Sequence, residues 1–152
     1  MHIVFINDPH SQRQMREVRT TKMNNPHVKR ILIVEDHYMF QKKAINAVAY
    51  DTAGEDTGVL VTCTADPIIA EALLLQNWDV ILMDHDLPMG YSGWQLLNNT
   101  SVFGKRADGA LVIAISAVPE NNKRLMAHGA HFRVEKMDCD FERAIQDIIN
   151  NN

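Results

Sequence analysis

The chain has 152 residues, 46% of them hydrophobic, which is enough apolar side chain for one packed domain and too much for a disordered segment. Its formal charge of −4 is unevenly spread: residues 1–30 carry six basic side chains against two acidic ones, a net +4, so the rest of the chain carries −8. No whole-molecule basic field favours nucleic acid as the main partner, and no apolar run approaches the roughly 20 residues of a membrane-spanning helix.

Residues 1–28 read as a basic, partly ordered N-terminal extension. Within it Met1–Ile6 is a candidate for one short extra strand, while Gln12–Asn25 is polar and weakly patterned. The stretch His2–Ile6 is too short for a signal-peptide core and has no basic flank before it, so a cytoplasmic protein is expected. Cys63 and Cys139 form neither a disulfide framework nor a metal site, and both are read as small reduced hydrophobes.

From Lys29 onward, apolar runs alternate with amphipathic stretches. Ile31–Val34 is a continuous run that ends in Glu35-Asp36. His37–Ala49 follows as a helix, with Phe40, Ala44, Ala47 and Val48 on one face. Asp51–Gly58 is polar and contains glycine, which predicts a loop. Val59–Thr64 is the next strand. Asp66 then caps a helix whose first position is Pro67, and Ile68, Ile69, Ala72 and Leu73 are expected inward. Val80–Met83 is a third apolar run and ends on Asp84. The loop Leu87–Gly93 leads into a short helix from Trp94 to about Asn99, and Ser101–Gly109 reads as connecting loop. Leu111–Ile115 is a fourth run and ends on Ser116. Pro119-Glu120 opens another helix with an acid that suits its dipole, and Gly129 is placed to stop it. His131–Lys136 alternates Phe132 and Val134 with Arg133 and Glu135, the pattern of a half-buried strand. Phe141–Ile149 is the last helix, with Phe141, Ala144, Ile145, Ile148 and Ile149 inward.

Five strands alternating with five helices predict an α/β fold, a doubly wound parallel sheet with helices on both faces. The continuous apolar runs suit central strands buried on both sides. In such sheets ligands bind beyond the carboxyl ends of the strands. The polar residues at those ends are Glu35, Asp36, Asp84, Ser116 and Lys136. Taken singly, each has an ordinary reading as a turn or N-cap aspartate, a helix-entry serine or a surface lysine. Their joint placement at successive strand ends is what points to chemistry. Clustered carboxylates repel unless a cation sits among them, and a small set of oxygen ligands suits Mg²⁺. A lysine and a hydroxyl beside them would hold a phosphoryl group, with one carboxylate as nucleophile.

Four segments carry a resemblance to a known family: Ile31–Asp36, Asp79–Pro88, Val112–Ala117, and Gly129-Ala130 through Lys136. In these the chain resembles the receiver domains of two-component response regulators, over about residues 29–150. The resemblance implies the flavodoxin-like receiver fold with strand order 2-1-3-4-5. It implies Asp84 as phosphoacceptor, with Glu35, Asp36, Asp84 and the backbone carbonyl of Asp86 around Mg²⁺. Ser116 and Lys136 would contact the phosphoryl group. The donor would be a sensor histidine kinase or a histidine phosphotransfer protein, and the output a contact with a downstream protein target, without a DNA-binding domain, a membrane or steady enzymatic turnover.

Three departures stand against the family pattern. Met137 follows the lysine in place of proline. Arg133 occupies the position of a switch aromatic, with Phe132 beside it. The Asp84–Gly93 loop is one residue longer. His85 is expected to be an exposed neighbour that tunes hydrolysis or partner contact, and Trp94 to be helix packing. Two other readings compete. A haloacid-dehalogenase-type phosphatase would use Asp84 and Asp86 as its Asp-x-Asp motif, but that family places its acidic pair after the lysine. A degenerate receiver acting only as a binding module is motivated by Arg133 and Met137.

Overall fold

The computed structural model describes residues 2–6, 28–50, 58–102 and 109–152. The polar segment 7–27, the loop 51–57 and the connection 103–108 lie outside the described residues. The elements in chain order are β1 (His2–Ile6), β2 (Lys29–Val34), α1 (Tyr38–Tyr50), β3 (Val59–Thr64), α2 (Pro67–Leu74), β4 (Val80–Asp84), α3 (Gly93–Val102), β5 (Leu111–Ser116), α4 (Pro119–Ala127), β6 (Phe132–Glu135) and α5 (Phe141–Asn150). A single 3₁₀ turn, Pro88–Gly90, stands between β4 and α3.

The strands form one sheet in the order β1-β3-β2-β4-β5-β6, with every ladder parallel. The five expected strands therefore take the order 2-1-3-4-5, as β3-β2-β4-β5-β6. The candidate N-terminal strand is real and adds a sixth: β1 pairs with β3 from His2↔Leu60 to Ile6↔Thr64. The third, fourth and fifth strands of the sheet order, β2, β4 and β5, are buried almost throughout, which is why their sequences run apolar without a break.

Alternation nevertheless sorts these strands' side chains. Ile31, Ile33, Val80, Leu82, Ile113 and Ile115 pack with α1 and α5 on one face. Leu32, Val34, Ile81, Met83, Val112 and Ala114 pack with α2, α3 and α4 on the other. Each fully buried Leu or Ile contributes about 1.5–3 kcal/mol relative to exposure. The period of two continues past the last apolar residue, so Glu35 follows Ile33, Asp84 follows Leu82 and Lys136 follows Val134 toward the α1/α5 side.

Local chemistry sets the helix ends. Asp66 Oδ1 accepts from the backbone N–H groups of Ile68 (2.8 Å) and Ile69 (3.2 Å), capping α2 as expected. The buried face of that helix differs from the expectation: Pro67, Ala70, Leu73 and Leu74 point inward, Ile69 is half-buried, and Ile68 and Ala72 are exposed. The proline start rotates the helix by one residue relative to the apolar pattern, because Ile68 and Ile69 sit in the first turn, where only one of them can face the sheet. Gly129 ends α4 with φ 113°, a left-handed value that suits glycine. Ser101 and Val102 continue α3 instead of beginning the connection. Cys63 lies in the core, whereas Cys139 is exposed, so only the first behaves as a core hydrophobe.

Candidate functional site

The carboxyl ends of β2 and β4 bring three acids together. Glu35, Asp36 and Asp84 each present a carboxylate oxygen within 4.8 Å of the others. Glu35 and Asp84 are 0% and 2% exposed, while Asp36 opens to solvent. Lys136, 6% exposed at the end of β6, reaches between the two buried acids. Its Nζ lies 2.6 Å from Glu35 Oε2 and 2.7 Å from Asp84 Oδ2. The same ammonium stands 5.1 Å from the ring centre of Phe40, which itself meets Phe141 edge to face.

Backbone donors hold the acids in place. The His37 N–H donates to Glu35 Oε1 at 2.9 Å, and the His85 N–H donates to Asp84 Oδ1 at 2.7 Å. Glu35 Oε2 has no well-directed hydrogen bond despite its ion pair. Burial pushes the Glu35 carboxyl up to about 7, and the Asp84 charge adds to this against the opposing pull of Lys136. Burial likewise raises Asp84, offset by Lys136 and the His85 amide. Two buried carboxylates thus share one ammonium, with the exposed Asp36 carboxylate beside them. An oxygen-only set with surplus negative charge fits a hard divalent cation.

Ser116 ends β5 next to this cluster and is 1% exposed. Its Oγ accepts from the Val118 N–H at 3.1 Å, and its carbonyl accepts from the Lys136 N–H at 3.0 Å. The β5–β6 ladder therefore ties the hydroxyl and the lysine together. Gly93, at the start of α3, lies so close that a Cβ there would stand 1.9 Å from the Asp84 carbonyl oxygen. Only glycine lets α3 begin against the end of β4.

All five strand-end residues meet at one end of the sheet. Asp86 differs from them: its side chain is turned away, with Oδ1 2.8 Å from His85 Nδ1 and Oδ2 accepting from Asn121 Nδ2 at 3.0 Å. His85 is not the exposed neighbour expected from its loop position. It is 6% exposed, and its Nε2 is buried without a partner. Trp94 packs as expected, its ring 4.8 Å from that of His128 and 5.2 Å from the Arg124 guanidinium. Arg133 is exposed on the outer side of β6, and Met137 is 76% exposed after a trans peptide bond.

Sequence reasoning missed Asn122. This α4 residue is 0% exposed and donates to the carbonyls of Ser116 (3.3 Å) and Val134 (3.2 Å). The available signal was a polar residue three positions before Leu125, on the face that α4 turns to the core.

No family model matches the sequence, and no curated protein matches it. Solved structures do. The chemotaxis protein CheY4 of Vibrio cholerae superposes with a TM-score of 0.63 at 17% identity, over 82% of this chain and 98% of that one. The receiver domain of a sensor histidine kinase from Pseudomonas aeruginosa PAO1, solved with a magnesium ion in its active-site cleft, gives 0.61 at 24% identity, over 82% and 96%. A CheY-like receiver domain protein from Methanospirillum hungatei gives 0.57 at 22% identity, over 82% and 95%. This is the receiver fold. In this chain β1 is a strand beyond the expected five, on the edge that β3 would otherwise leave open. No helix among the described residues is long and apolar enough to cross a membrane.

Proposed function

We propose that the chain is a phosphoacceptor switch in two-component signalling, with residues 29–150 as the receiver domain and residues 1–28 as an extension to it. One observation carries the reading: Lys136 spans the two buried carboxylates, Glu35 and Asp84, beside the exposed Asp36. An Asp84 carboxylate oxygen attacks the phosphorus of a phosphohistidine, the P–N bond breaks, and the imidazole leaves with its electron pair. The Lys136 ammonium pairs with a phosphoryl oxygen, and the Ser116 hydroxyl donates to another. Glu35, Asp36, Asp84 and the Asp86 carbonyl would hold Mg²⁺, which neutralises charge as the phosphoryl group arrives.

The donor is a sensor histidine kinase or a histidine phosphotransfer protein in the cytoplasm. The output is a contact with a downstream protein rather than catalytic turnover. The haloacid-dehalogenase alternative needs the second aspartate of Asp-x-Asp at the reacting centre, whereas the Asp86 carboxylate is engaged by His85 and Asn121. The test is intact mass after incubation with Mg²⁺ and a small acyl phosphate. A single phosphoryl adduct, lost in Asp84→Asn and without metal, is expected. No adduct together with no Mg²⁺ binding would leave a binding module, and steady release of phosphate from an ester would favour the phosphatase.

A further inference from the structure

The main chain at Asp86 is set by the loop that follows β4. The His85 carbonyl accepts from the Gly93 N–H at 2.8 Å, and the Leu87 N–H donates to the Tyr91 carbonyl at 3.1 Å. These bonds bracket Asp86 and Ser92, which face each other across the loop as an isolated antiparallel pair. In a pair bracketed this way, each residue's own N–H and C=O point away from the facing strand. The Asp86 carbonyl and the Leu87 N–H belong to one planar peptide and point in opposite directions. With that N–H on Tyr91, the carbonyl is turned out of the loop, and no donor among the described residues is bonded to it.

The Asp86 side chain is gripped at both oxygens by two different elements. Oδ1 lies 2.8 Å from His85 Nδ1, and Oδ2 accepts from Asn121 Nδ2, in the first turn of α4, at 3.0 Å. His85 is buried and its Nε2 has no partner, so Asp86 is the polar anchor of that ring. The Asp86 carboxylate is thereby committed to His85 and Asn121. It is not one of the three clustered acids. The carbonyl is what remains of Asp86 for a cation beside them.

We infer that Asn121 is a positioning residue for the metal: from α4 it pins the Asp86 side chain against His85 and so holds the Asp86 carbonyl in place as a ligand. This rests on the phosphoacceptor reading above, which puts that carbonyl in the Mg²⁺ shell. The two hard cations feel such a ligand differently. Mg²⁺ demands near-ideal octahedral geometry, whereas Ca²⁺ accepts a looser and more variable set of oxygens. A carbonyl freed to drift therefore costs Mg²⁺ more than Ca²⁺.

The test titrates the full chain with Mg²⁺ alone and with Ca²⁺ alone, following the His85 and Gly93 amides by ¹H–¹⁵N NMR. Asn121→Ala removes the donor from a half-buried helix position. It should raise the Kd for Mg²⁺ about tenfold, as loss of an outer partner of a metal site does, and raise the Kd for Ca²⁺ by clearly less. Asn121→Gln, which keeps an amide donor, should recover most of the Mg²⁺ affinity. A Kd for Mg²⁺ within twofold of wild type in Asn121→Ala would overturn the inference and leave the phosphoacceptor reading standing. Equal losses for the two cations, or no recovery in Asn121→Gln, would reduce Asn121 to a structural residue and overturn it as well. No Mg²⁺ binding by the wild type would sink both.

Discussion

Raising the pH of the metal-free protein should weaken it, because the folded state holds a proton that the unfolded chain gives up. The Glu35 carboxyl has an ordinary value of 4.5 and is pushed up to about 7 in the fold. Between those values the folded chain binds the extra proton. The stability this contributes is fully present below 4.5 and is lost as pH rises through about 7. At about 1.4 kcal/mol per pH unit, the loss approaches about 3 kcal/mol, a large fraction of a typical 5–15 kcal/mol domain stability. Asp84, also raised by burial, acts in the same direction. A cation among the acids favours their ionised forms, so Mg²⁺ should reverse the trend. The assay is urea unfolding at pH 5, 6, 7 and 8, each with EDTA and with saturating Mg²⁺. The stabilisation by Mg²⁺ should grow by about 3 kcal/mol across the series. A difference constant within about 0.5 kcal/mol would refute the claim that a protonated Glu35 is displaced by metal.

Other substitutions test the frame around the site. Gly93→Ala places a methyl group against the Asp84 carbonyl, so the start of α3 must move; the cost should be at least about 1–3 kcal/mol, with weakened Mg²⁺ binding, and a wild-type melt would contradict the close approach. Asp84→Asn removes a charge that raises Glu35, so the Glu35 side-chain carbon should titrate below about 7 by NMR; an unmoved midpoint would assign the whole shift to burial. Asp66→Ala deletes two capping bonds far from the chemistry and should cost about 1 kcal/mol while leaving the phosphoryl adduct intact. Loss of the adduct would mean that α2 bears on the site in a way the geometry does not suggest.

The parallel sheet was legible because the signals were long and local, whereas its strand order came with the resemblance to receiver domains. Three continuous apolar runs demanded strands covered on both faces, and each ended on a polar residue at the edge where such sheets bind ligands. The gathering of Glu35, Asp36, Asp84 and Lys136 follows from strand order and the period of two. What sequence reasoning lost was side-chain direction where the pattern is short. The apolar doublets of α2 left its inward face ambiguous by one residue. His85 follows an acid on a loop and reads as exposed, yet the return of Gly93 onto its carbonyl, 2.8 Å from N to O, folds the loop over it. The inward face of α4 marked Asn122 as a buried polar residue, but its partners are backbone carbonyls from two strands, which no spacing in α4 encodes.

The two departures from the receiver pattern, Arg133 on β6 and Met137 just beyond it, are both exposed and leave the inward side of the strand unchanged. Phe132, Val134 and Lys136 share the inward parity, with Phe132 and Val134 in the α1/α5 core and Lys136 on the acids. Arg133 and Glu135 share the outward parity and are exposed. A change at position 133 therefore alters the exposed outer side of β6 without moving the lysine. Met137 lies one residue beyond the lysine, and the Lys136 N–H is already anchored to the Ser116 carbonyl at 3.0 Å. The ladder, and not the residue that follows it, sets where Lys136 points. The acid cluster can thus stay fixed while the exposed side of β6 varies, and the Asn122 amide ties α4 to the Ser116 carbonyl beside the site.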